Sequence, residues 1–108
     1  MAFATEKLVA DPTPKFIGGT GEMGADWIVF QLTNVSVDFS SVPQGLMDGV
    51  QADPLPFCYY DFLADHKVTV AAGTPITRAG VFAVFAPEMS LYMLTSAGTA
   101  SLNWKVPR

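Results

Sequence analysis

The chain has 108 residues, enough for one domain with a single core and too few for two. Half of them are hydrophobic and only 15% are charged, against roughly a quarter in ordinary soluble domains, so a domain this small is left with apolar surface that calls for a partner. The net charge is −4, and the basic residues Lys7, Lys15, Lys67, Arg78, Lys105 and Arg108 are scattered; they form no stripe for phosphates, which argues against nucleic-acid binding.

The first residues place Glu6 and Lys7 where a secretory signal would carry its apolar segment, so no signal peptide is expected. Pro12 and Pro14 bracket Thr13 and favour extended backbone. Phe3, Leu8 and Val9 give the stretch something to bury. The expectation is an extended N-terminal arm over 1–15, lying along the domain or along a neighbour, ahead of a β domain over 16–108. Removing such an arm should leave the β domain folded.

Gly19-Thr20-Gly21-Glu22-Met23-Gly24 spells G-x-G-x-x-G, the glycine pattern of dinucleotide loops. That loop needs a helix after the glycines, whose N-terminal amides hold the pyrophosphate. Here the glycines lead into Trp27-Ile28-Val29-Phe30, which is β-branched and aromatic. Asp38 lies at a spacing suited to a ribose contact, but one acid among ten decides nothing. The motif is read as a turn, with no nucleotide and no other cofactor expected.

From Trp27 the apolar residues Ile28, Phe30 and Leu32 alternate on even positions, whereas Val35, Val37 and Phe39 alternate on odd ones. A one-residue slip turns every later side chain to the other face, which predicts a β-bulge near Thr33 or a crossing from one sheet to another. Ser40 to Pro56 holds three prolines and two glycines and is predicted as a long loop, with a helical turn at Gln44 to Asp48. Phe57 to Leu63 suits a strand with apolar groups on both faces. Short strands follow at Val68–Ala72, Ile76–Arg78, Val81–Ala86, Ser90–Leu94 and Ser101–Val106. No window sustains a helical period. The fold expected is all-β, a single-domain β-sandwich or jelly-roll-like barrel of seven or eight strands. The apolar runs are far shorter than the roughly 18 residues of a membrane span, so no membrane association is expected.

Candidate chemistry is sparse. Cys58 is the one cysteine, which rules out an intrachain disulfide framework, and its place among aromatics predicts core filling. With His66, and Asp65 or Asp61 to orient the imidazole, it would be the nucleophile of a small enzyme, the least favoured function. Zinc wants several cysteines or histidines, and Asp48 and Asp53 do not have the spacing of a calcium loop. The sequon at Asn34-Val35-Ser36 needs a secretory route and is set aside. Trp27, Tyr59, Tyr60 and Trp104 are candidates for an aromatic platform, the basis of an alternative function as a ligand- or carbohydrate-binding module.

The run from Val68 to Phe82, with Ala72-Gly73-Thr74 and Ala79-Gly80 between short strands, resembles a phrase of small β modules that include bacteriophage head-decoration proteins. Low charge, β-rich patterning, an arm and few catalytic groups are also similar to virion accessory proteins. The resemblance implies a non-enzymatic capsid decoration or cement protein, assembled in the host cytoplasm, trimeric, and docked on a capsid shell. Within that expectation the contact residues are Phe3, Leu8, Val9, Pro12 and Pro14 of the arm, with Tyr59 and Tyr60.

Overall fold

The computed structural model describes residues 2–19, 27–47, 50–62, 68–85 and 89–106. Among these residues ten strands follow one another: β1 (Ala2–Val9), β2 (Lys15–Gly19), β3 (Trp27–Thr33), β4 (Ser40–Leu46), β5 (Leu55–Pro56), β6 (Tyr59–Asp61), β7 (Val68–Val70), β8 (Gly80–Phe85), β9 (Ser90–Ala97) and β10 (Thr99–Val106). There is no helix among the described residues. The strands form two antiparallel sheets, one of six in the order β1-β10-β3-β8-β6-β7 and one of four in the order β2-β9-β4-β5. Their inner faces pack together as a β-sandwich, in agreement with the all-β expectation.

Period-two patterning builds the core. Ile28, Phe30 and Leu32 of β3 point inward beside Phe82 and Val84 of β8, Leu102 and Trp104 of β10 and Leu8 of β1. Ile17, Leu91 and Met93 meet them from the smaller sheet, and Phe39 and Ile76 close the ends from connections. The Phe30 and Phe82 rings lie 5.7 Å apart, and Tyr59 meets Phe82 edge-on at 6.0 Å. Ser41, Gln44, Ser90 and Thr95 are the buried polar residues among those described, and Ser41 and Thr95 are directly opposed. Their hydroxyls bond each other at 3.0 Å and Ser41 Oγ also donates to Leu94 O, so neither is stranded in the core.

The phase slip after Leu32 is a sheet crossing. β3 belongs to the larger sheet and β4 to the smaller, and Asn34, at φ 52°, starts the turn between them. Ser36 pins that turn: its N–H donates to Thr99 O, and its Oγ accepts from Thr99 N–H and donates to Asp38. Val37 is fully exposed at the tip while Phe39 returns to the core. Residues 35–39 therefore do not continue as a strand.

The structure departs from the expectations at several elements, and its ten strands exceed the seven or eight expected. Of the two places expected for the extended N-terminal segment, the structure shows the one along the domain, and as a full strand: Ala2–Val9 pairs with β10 over all eight residues and drives Leu8 into the core. Asp11 N–H then bonds Thr95 O, and the Asp11 carboxylate accepts from Thr13 N–H, so Pro12 and Pro14 shape a corner that carries the chain to the other sheet. The radius of gyration, 12.8 Å, matches the roughly 13 Å of a compact chain of this length.

Ser40–Leu46 is a strand rather than loop or helical turn. Pro43 is tolerated because its carbonyl accepts from Phe57 N–H, so its missing N–H faces that same side and the β9 ladder loses nothing. Gly45 is required there, since a side chain would occupy the space of the Phe57 ring. Finally, the strand expected over Phe57 to Leu63 is split, with Phe57 and Cys58 forming the passage between sheets. Phe57 takes the inward place, and Cys58 is exposed rather than core-filling. Of Ile76–Arg78, only Ile76 pairs, bridging to Ser41.

Candidate interaction surface

The outward residues of β3, β8 and β6 make an apolar face. Antiparallel register sets Trp27 opposite Phe85, Val29 opposite Ala83 and Ala83 opposite Tyr60, and directly opposed residues share a face. Phe62 joins them where β6 ends, held against β8 by its N–H to Val81 O. Trp27 is the hub, with ring centroids 5.1 Å from Phe85 and 5.6 Å from Tyr60, and Phe62 stacks on Tyr60 at 6.4 Å. These large side chains stay open to solvent: Trp27 46%, Val29 50%, Tyr60 36%, Phe62 37% and Phe85 54% exposed. Ala83, beneath them, is covered.

Toward β10 and β1 the same face turns polar. Thr5 Oγ1 donates to Asn103 Oδ1, Asn103 Nδ2 reaches Thr33 Oγ1 at 3.5 Å, and Gln31 lies opposite Asn103. On the far side Arg78 pairs with Asp61. No described residue of the aromatic group carries a charge.

The residues singled out from sequence are dispersed. Leu8 and Tyr59 are core residues; the Tyr59 hydroxyl donates to Thr74 O, and burial, reinforced by the Asp61 charge and opposed by Arg78, holds its pKa above the ordinary tyrosine value. Trp104 is likewise internal, so the four-ring platform divides, two rings inward and two outward. Leu8, Val9 and Pro14 do come together with Asp11 and Lys15, around a depression of about 170 Å³, below the roughly 300 Å³ of small-molecule sites. Pro12 is exposed at that corner, and Phe3 lies in β1 opposite Lys105. Gly18 and Gly19 end β2, and the next described element is a strand. The remainder of the glycine motif, Asp48, Asp65 and His66 fall outside the described residues. Among the described residues no three His, Cys, Asp or Glu side chains gather to hold a metal.

Val29, Phe62 and Phe85 were not singled out from sequence. The available signal was Trp27-Ile28-Val29-Phe30, apolar on both faces of one strand, in a sheet whose second face meets no further layer among the described residues. Comparison with protein-family models, with characterised proteins and with solved structures finds no match.

Proposed function

We propose that the protein acts by association rather than catalysis, as a structural component that binds copies of itself and docks on a larger assembly. A capsid decoration or accessory protein of a phage particle is the setting that the resemblance over residues 68–82 suggests. One observation carries the associative part: an uncharged aromatic group left open on a sheet face of a small domain. Aromatic anchors of this kind dominate protein interfaces.

The ring geometry favours this over a carbohydrate platform. A flat platform for an extended saccharide needs several coplanar rings, whereas only Tyr60 and Phe62 lie near parallel, at 25°, and Trp27 is inclined at 45° to Tyr60 and at 60° to Phe85. Such ridges suit interdigitating side chains. Light scattering across a concentration series is the test. The expected result is a mass above the 11.6 kDa of one chain at micromolar concentration. A strictly monomeric chain at high micromolar concentration overturns the associative reading, and retention of that monomer on a polysaccharide resin would put the binding module in its place.

A further inference from the structure

We propose that the aromatic face of the six-stranded sheet docks on the same face of a second copy about a two-fold axis, bringing Val29 and Trp27 close to their own counterparts. This rests on the associative reading and names its partner and surface.

Area is the first argument. Aromatic side chains present about 150–250 Å² each, so the exposed fractions of Trp27, Tyr60, Phe62 and Phe85, with Val29, amount to roughly 400 Å² of contiguous apolar surface. A standard interface buries about 800 Å² per partner. A little over half of that is apolar, which the face matches. Its anatomy fits as well, an apolar centre bordered on one side by Gln31, Thr33, Asn103 and Thr5 as a polar rim.

Charge is the second. Each chain carries −4, so two copies repel, and they repel least where they meet away from charged residues. The described aromatic group is such a place, and Asp61 beside it is already paired with Arg78. The aromatic patch carries no charge of its own, with Lys7 and Lys105 at outward register positions on the β1–β10 side of the same sheet face, so the patch itself selects no oppositely charged partner and is complementary to itself. Isologous two-fold contact is the commonest way for identical chains to cover such a surface.

Sedimentation of the full chain, with variants, tests this. The wild-type chain is expected to form a dimer. Val29→Lys and Val29→Glu each should weaken dimerisation at least about tenfold, because like charges then face each other across the axis. An equimolar mixture of the two should re-form the dimer. Phe16→Lys, which places a charge on the exposed face of the smaller sheet, should leave dimerisation unchanged. Circular dichroism establishes that each variant is folded. A trimer, or a dimer indifferent to Val29→Lys, overturns the two-fold face-to-face assignment while leaving association standing. Failure of the folded Lys and Glu variants to pair overturns the placement of Val29 against its counterpart. A monomeric wild-type chain overturns both.

Discussion

Gly98 and Gly73 both adopt positive φ, at 74° and 89°, yet they are not equivalent. A Cβ on Gly98 would run into Ser36 Oγ and the Phe39 backbone, where the β3–β4 crossing packs on the β9–β10 turn; one on Gly73 meets nothing. Gly73→Ala therefore carries only the conformational cost, about 1 kcal/mol. Gly98→Ala should cost at least about 2 kcal/mol, since strain and overpacking add. Thermal melts should separate the two by several degrees, and equal melting points would contradict the close packing at Ser36. Tyr59 gives a pH signature at the same scale. Its folded pKa is raised, so its contribution to stability is complete below the unfolded value of about 10 and is lost as pH rises from there through the folded value. Melting temperature should decline above about pH 10 more steeply in the wild type than in Tyr59→Phe. That variant should itself lose about 1 kcal/mol at neutral pH with the Thr74 hydrogen bond.

At the scale of the element, β1 distinguishes a strand from an arm. Its eight backbone partners on β10 and the burial of Leu8 make it part of the sandwich. Leu8→Ala should cost about 2–5 kcal/mol. Deleting residues 2–9 should abolish cooperative unfolding, because it strips a strand from the sheet and opens the core beside Leu102 and Ala100. A truncated chain that melts cooperatively near the wild-type temperature would restore the arm. The sequence signal for extended backbone in this stretch was sound. Prolines and scattered apolar residues, however, describe an extended segment equally well whether it pairs with its own sheet or with a neighbour's, and only the partner strand separates the two. Pro43 shows the same ambiguity in reverse: proline density argued for loop, and the side of the strand on which the missing N–H fell made a strand possible.

Across the whole molecule, net charge and the aromatic face act in opposite directions. If two −4 chains meet through an uncharged surface, screening should help them: the dissociation constant should fall as salt rises from about 20 to about 300 mM, over which the Debye length shrinks well below the size of the domain. An interface built on ion pairs would weaken instead, so the sign of the salt dependence, read by sedimentation, decides between them.

What the sequence determined by itself is the class of fold and the place of its main discontinuity. Alternation at Ile28, Phe30 and Leu32 suits a strand with one face in a core, and the break in that alternation after Leu32 falls where the chain leaves the larger sheet for the smaller. Which aromatics are buried follows from how the two sheets pack. Neighbouring residues of a strand point to opposite faces, so Tyr59 and Tyr60, alike in sequence, part company once β6 lies beside β8, one into the core and the other beside Trp27. A period of two says that they separate; which of them faces solvent is set by where the second sheet lies.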